Sequence, residues 1–348
     1  MSWIPFFKKT SNECLGIDIG TNSIKVVEIS KRGKEKKLES YGEIKVRDIY
    51  SDLKKSIINA GSGEIASFLR TVLKESGVKS KSAVISIPDY SSFFTTFTLP
   101  AMDKDEISEA VKFEAPVHIP LPLSKVSLDW QIVNNKGKKD GPIKILAVAV
   151  PNEIVDKYKE IASMINLELN SLEAEVFGLI RSSIKDDDLT VLMDIGKEST
   201  TCSIIEEKIL KISHSFDAGG KEMTESLIKK MDIDYRKAEE LKIKDGILGD
   251  KNIRECLLPI ADRILGEVKD GCDNFLKSNG GKVRKMILSG GPALLPGLRE
   301  YFIKESGMKV EIANPFSELI TPDVLKKSLK EMGPFYAVSV GMALGKLK

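Results

Sequence analysis

Histidine and cysteine are scarce: the 348-residue chain has two histidines, His118 and His214, and four cysteines, Cys14, Cys202, Cys256 and Cys272, with no Cys-x-x-Cys spacing. That argues against a zinc site or a histidine-based triad and suits small core thiols in a reducing compartment. No run approaches the ~20 apolar residues needed to cross a bilayer, and the N-terminus lacks the sustained apolar stretch of a signal peptide. The expected location is cytoplasmic. Net charge is also lacking, at +2 from 53 basic and 51 acidic residues, so nothing favours nucleic acid as a partner. The length exceeds what one core organises, so two domains or a bilobed body are expected. The opening MSWIPFFKK carries Trp3, Ile4, Phe6 and Phe7 ahead of Lys8 and Lys9. One turn of apolar residues anchors weakly, so a short arm is the simpler reading than a membrane or partner contact.

What the chain does contain is an internal repeat. "LGIDIGTNSIKVVEI" at 15–29 is matched by "VLMDIGKESTTCSII" at 191–205, with Asp194 on Asp18, Gly196 on Gly20 and Ser199 on Ser23. Each copy reads as an apolar strand, Asp-Ile-Gly, a few polar residues and a second strand, the pattern of a β-hairpin with a glycine-dependent turn. A strand-end carboxylate is costly unless paired, and Gly20, Thr21, Asn22 and Ser23 offer N–H groups and hydroxyls rather than a cation. Two facing turns of this type suit the two sides of a polyanion such as triphosphate. Asp18 and Asp194 would then share a magnesium ion through its retained waters. A third element, "KVRKMILSGGPALLPGLREYF" at 282–302, reads as a strand, then Gly290, Gly291 and Pro292 opening a helix, where backbone can approach a ligand closely.

With these three elements in this order, the chain resembles the actin, heat-shock chaperone and sugar-kinase superfamily. The resemblance implies a nucleotide between two lobes: a first phosphate motif at Asp18–Lys25, a second at Asp194–Thr201 and an adenosine motif at Gly290–Gly297. Lys25 would reach phosphate oxygens, joined by Gly196, Lys197, Ser199 and Thr200 from the second turn. "AEELK" at 238–242 implies Glu239 and Lys242 beside ribose and base, with Gly219 and Gly220 of "DAGGKEMTESL" close by. The second turn is less glycine-rich than usual and carries Glu198 near the expected phosphates.

Within the superfamily the chain resembles the PilM family, FtsA-like proteins of type IV pilus assembly. The matching segments are "FFKK", "LPAMDKDEISEAVKFEAPVHIPLPLSKVSLDWQIV" at 99–133, "EVFGL" at 175–179, "IANPFSELI" at 312–320 and "PFYAVSVGMALG" at 334–345. The implied fold is α/β, actin-like and bilobed, with duplicated ribonuclease-H-like lobes and an FtsA/PilM-type inserted subdomain. The boundaries read as an arm at 1–12, a first lobe at 13–82 with 166–188 and 335–348, and an insert at 83–165. The second lobe takes 189–220 and 283–334, with a helical subdomain at 221–282. The insert opens with "SAVISIP"; its helix begins near Asp103 with a capping pattern to Glu106 and is stopped by Pro116. A final helix is expected over Val338–Leu347.

The implied function is a cytoplasmic ATP-binding scaffold of a pilus, or related secretion or competence, complex at the inner membrane. ATP or ADP and Mg²⁺ are the implied cofactors. The implied partners are other pilus-assembly proteins and a cytoplasmic N-terminal peptide of a PilN-like membrane protein, held between the first lobe and the insert. FtsA continues into a membrane-binding helix where this chain stops at Lys348, so membrane contact is expected only indirectly. Glu175 is the candidate to orient water for a slow hydrolysis, since no arginine finger or lysine base can be named. Two readings compete with this one, a metabolite or sugar kinase and a filament-forming bacterial actin. The first would require an acceptor-site base that no motif supplies.

Overall fold

The computed structural model describes residues 12–49, 56–133 and 141–347. The arm expected at the N-terminus, up to residue 11, and most of the lysine-rich loop after Val133 lie outside them. In chain order, β1 (Glu13–Ile19), β2 (Ser23–Arg32) and β3 (Glu35–Lys45) lead through a short helix, α1 (Val46–Ile49), to α2 (Ser62–Glu75) and β4 (Ser82–Ile87). Next come β5 (Phe93–Leu99), α3 (Lys104–His118), β6 (Val126–Ile132), β7 (Ile143–Pro151), α4 (Asn152–Met164), β8 (Glu168–Ala174) and α5 (Glu175–Ser183). The second half holds β9 (Thr190–Ile195), β10 (Thr200–Glu206), β11 (Ile209–Phe216), α6 (Gly220–Met231), α7 (Tyr235–Asp245) and α8 (Lys251–Asn279). It closes with β12 (Lys285–Ser289), α9 (Leu298–Ser306), β13 (Lys309–Ile312) and α10 (Lys326–Leu344).

The duplication seen in the sequence is a duplication of sheets. One five-stranded sheet runs β3-β2-β1-β4-β8 and the other β11-β10-β9-β12-β13. In both, the first three strands are antiparallel and the last two join in parallel. The runs of Ile, Val and Leu in β1, β2 and β4 are buried almost throughout, as expected of strands covered on both faces. One face of the first sheet meets α2 and α4 through Ile65, Leu69, Val155 and Ile161, while Val27, Ile29 and Leu38 meet Leu329, Tyr336 and Val340 of α10. In the second half Val191, Met193 and Ile204 pack on Leu257, Ile264 and Phe302.

The insert is a three-stranded antiparallel sheet, β5-β7-β6, whose Phe97 and Ile145 pack on Ile107 and Val111 of α3. The cap of α3 is as read, with the Asp103 N–H donating to the Glu106 carboxylate at 3.2 Å. Three expectations need correction. The strand expected to open the insert, Ser82–Ile87, pairs in parallel with β1 and so belongs to the first sheet. An apolar run alone does not say which sheet a strand joins. Pro116 does not stop α3 at once: the helix runs to His118, with Ile119 N–H bonded to Ala115 O, since one missing donor is tolerated within the last turn. The final helix begins at Lys326 and passes through Pro334.

α10 packs on the first sheet and reaches the second lobe at Pro334, whose O accepts from Gly290 N–H and Ser289 Oγ, each at 3.2 Å. It crosses α5 so closely that a Cβ on Gly341 would lie 1.9 Å from Gly178 O, and one on Gly16 would lie 1.9 Å from Ser339 O. Backbone meets backbone at both places. Arg181 of α5 then ties to Gly341 O at 2.9 Å and to the fully buried Glu173 carboxylate.

Candidate nucleotide cleft between the lobes

The two hairpin turns are built alike. Gly20 N–H donates to Ser23 O at 3.0 Å, and Gly196 N–H to Ser199 O at 2.8 Å. Each turn places its aspartate beside a cleft of about 1160 Å³. The cleft is lined by Gly20 to Ser23 and Lys25 of the first turn, by Gly196, Lys197 and Ser199 of the second, and by Gly290, Gly291 and Pro292. Glu239 and Lys242 of α7, Gly220, and Glu175 also face it.

The antiparallel register changes the reading of Asp18. Asp18 lies opposite Lys25, the Lys25 ammonium stands 3.4 Å from Asp18 Oδ2, and Ser86 Oγ donates to Oδ1 at 3.2 Å. The strand-end carboxylate therefore has a cation of its own, contrary to the expectation that the turn supplies none. Burial opposes the charge on Lys25, yet Asp18 and then Glu43 hold its pKa above the usual lysine value. In the second hairpin, Thr201 stands opposite Asp194, where the first has Lys25. With no cation across the strand, burial first and the Asp18 charge second push the Asp194 carboxyl up to about 6.

Behind the second turn, Gly220 N–H donates to Gly196 O at 3.0 Å and Lys221 N–H to Lys197 O at 2.7 Å. A Cβ on Gly219 would meet Gly196 O at 2.7 Å, so Gly219 supports the turn from behind and does not line the cleft. Thr200 is fully buried and its hydroxyl donates to Ala218 O at 2.6 Å; it braces the hairpin while Thr201 faces the cleft. Lys242 donates to Gly220 O at 2.8 Å, Thr224 Oγ1 at 2.7 Å and Glu239 Oε1 at 2.5 Å. This fixes Glu239 at the cleft wall.

The Gly-Gly-Pro turn differs from expectation. Gly290 takes a φ of +83°, and the chain makes one tight turn at Pro292–Leu294 before α9 begins at Leu298. Pro296 and the left-handed Gly297 prevent a helix from opening at Gly290. The backbone still comes close: a Cβ on Gly290 would lie 2.1 Å from Ile195 O.

Sequence reasoning missed Asp89. It follows β4, is 2% exposed, and clasps the start of α5 reciprocally: its N–H donates to Glu175 Oε2 at 3.2 Å, and its Oδ1 accepts from Val176 N–H at 3.2 Å. Its Oδ2 and the Tyr158 hydroxyl are buried without a hydrogen-bond partner among the described residues. Burial, with Asp194 adding, raises the Asp89 carboxyl to about 8, and burial followed by Asp89, Asp18 and Asp194 raises Glu175 well above the carboxylate range. An aspartate after Ile-Pro reads as an ordinary turn residue, and only the fold brings it against α5.

A family model described as type IV pilus assembly protein PilM matches residues 16–347. The cell division protein FtsA of Enterococcus faecalis is 23% identical, over 86% of this chain and 78% of that protein; FtsA of Enterococcus hirae is 22% identical over the same shares. Among solved structures, the PilM-PilN type IV pilus biogenesis complex matches at a TM-score of 0.84 and 21% identity, over 98% of this chain and 100% of that one. The ethanolamine utilization protein EutJ from Carboxydothermus hydrogenoformans matches at 0.58 and 15% identity, over 98% and 92%. MreB 5 of Spiroplasma citri bound to AMPPNP matches at 0.53 and 12% identity, over 97% and 96%. These likenesses establish the actin-like fold, and the match over nearly its whole length shows that the chain belongs to the PilM family of type IV pilus assembly proteins.

Proposed function

We propose that the chain is an ATP-binding scaffold of type IV pilus assembly, holding MgATP between its lobes and taking the cytoplasmic N-terminal peptide of a PilN-like inner-membrane protein. One observation carries the nucleotide reading: both duplicated turns, the Gly290 turn and the Glu239–Lys242 pair open into one cleft. The turns offer backbone N–H groups and hydroxyls to a phosphate chain. Lys25 adds a cation held ready by Asp18. MreB 5, a likeness in fold, is bound to AMPPNP, which supports the same ligand class here.

The donor set fits magnesium of the kind that keeps its water. Among the described residues no three His, Cys, Asp or Glu side chains form a metal cage. Asp18 and Asp194 would hold the ion with its waters and the phosphates completing the shell, and the bound ion would offset phosphate charge. Glu175 faces the cleft and accepts from Asp89 N–H, which supports a role in orienting a water. Burial, followed by the Asp89, Asp18 and Asp194 charges, raises the Glu175 carboxyl above its usual value, and turnover is expected to be slow. Glu175→Gln is expected to lower phosphate release about tenfold while leaving MgATP affinity unchanged; equal release by the variant would remove Glu175 from the mechanism.

The partner reading draws support from the matched PilM-PilN complex and from β6, whose outer edge in the third sheet is unpaired among the described residues and carries half-buried Leu128 and Trp130. Recruitment to the inner membrane then runs through the partner. Titrating the folded chain with a synthetic peptide of the partner's cytoplasmic N-terminus tests this. Saturable binding is expected, and none by well-folded chain would overturn it.

A further inference from the structure

The end of the first sheet away from the cleft is strongly basic. β2 starts at the nucleotide turn and runs ten residues to Arg32, so its far end lies roughly 30 Å from the cleft. Across the β2–β3 turn, residues 31–37 hold five basic side chains, Lys31, Arg32, Lys34, Lys36 and Lys37, against the single acid Glu35. The register sets Lys31 directly opposite Lys36, a like-charge cross-strand pair that disfavours the hairpin. No ion pair ties down Lys31, Lys34 or Lys36 among the described residues.

Alternation puts Lys31 and Lys36 on the face that Ile29 and Leu38 turn toward α10. The outer edge of β3 receives the segment at Ile320 as a parallel bridge: its N–H donates to Lys36 O at 2.8 Å and its O accepts from Leu38 N–H at 3.1 Å. Ile320 is 46% exposed, and Val324, on the turn before α10, is 84% exposed. Lys326, Lys327 and Lys330 follow, all exposed. Nearby acids are already engaged: Glu39 by Lys37 and Ser30, Asp323 by Lys326 at 2.7 Å, Glu318 by Lys185 at 3.1 Å, and Glu331 more loosely by Lys327 at 4.0 Å. Arg32 stands opposite Glu35. The surplus is positive, and two aliphatic side chains project beside it.

We infer that this basic end, with Ile320 and Val324 as apolar contacts, binds the surface of an anionic lipid bilayer directly. The inference goes beyond partner-borne recruitment and does not depend on nucleotide. Charge complementarity selects the occupant: a net surplus of lysines flanking small aliphatic groups suits headgroups over acyl chains. Each basic residue near such a surface strengthens attachment about fivefold, so a cluster without a lipid anchor gives weak, salt-sensitive binding that adds to a partner's.

Sedimentation of the full chain with vesicles containing phosphatidylglycerol, against vesicles of phosphatidylcholine alone, tests it. Binding to the anionic vesicles only is expected, falling steeply as salt is raised. Lys34→Glu/Lys36→Glu is expected to weaken it at least about tenfold. The same double variant should unfold at an equal or higher temperature than wild type, because residue 36 then faces Lys31 with opposite charge. Val324→Asp gives a second variant on an exposed site and should also weaken binding. Absence of binding, equal binding to neutral vesicles, or binding unchanged in the folded variants would each overturn the inference.

Discussion

Asp18 and Asp194 hold equivalent places in the two hairpins and keep opposite electrostatic company. Asp18 faces Lys25 and is buried with it. Removing one member of such a pair strands the other, so Lys25→Ala should cost about 3 kcal/mol in chemical denaturation. Asp194 faces Thr201. Its carboxyl is raised from 3.8 to about 6, so between those values the folded chain holds a proton that the unfolded chain has released. Stability of the ligand-free protein therefore falls as pH rises through this window, and above it the ionised carboxylate is a standing penalty. Asp194 keeps some exposure to the cleft, so Asp194→Asn should stabilise the free protein at pH 7 by only about 1 kcal/mol. The same variant should bind MgATP more weakly. Asp89 extends the pattern: raised to about 8, it steepens the fall in stability at higher pH, and Asp89→Asn should flatten the thermal stability profile between pH 6 and 8. A slope identical to wild type would show that Asp89 is already ionised in that range.

At the level of elements, the crossing of α5 and α10 is the most constrained contact. Gly341→Ala would drive a methyl into Gly178 O, and the helices would have to separate. A loss of about 3 kcal/mol is expected in denaturant titration, whereas Gly61→Ala, in open space, should change little. What could be read from the sequence followed the same logic of local pattern. The repeated Asp-Ile-Gly device, flanked by apolar runs, was enough to indicate two hairpins and a duplicated fold, because glycine turns and strand alternation are local. The cation at Asp18 depends on which residue a turn of fixed length sets opposite it. Counting back from the Gly20–Ser23 closure gives Lys25, so that signal was present in the spacing. The membership of Ser82–Ile87 in the first sheet and the clasp of Asp89 on α5 rest on contacts between residues far apart in the chain, 86 positions in the case of Asp89 and Glu175. No periodicity reports those. The single turn at Pro292, in place of a helix, was hidden because Gly-Gly-Pro fits both.

The whole molecule is a two-lobed body whose sheets point their duplicated turns into one cleft, with a basic end on the far side of the first sheet. No helix among the described residues is long and apolar enough to cross a membrane. Partner binding and the lipid contact of the basic end would act at different faces, so vesicle binding should persist when MgATP fills the cleft. The central claim is that the cleft holds MgATP through both lobes. Calorimetric titration of wild type, Lys25→Ala and Asp194→Ala with MgATP, on samples shown to be folded, tests it most directly. Saturable binding by wild type, weakened more than about tenfold in each variant, is the predicted result; a folded wild type that takes up no MgATP would contradict it.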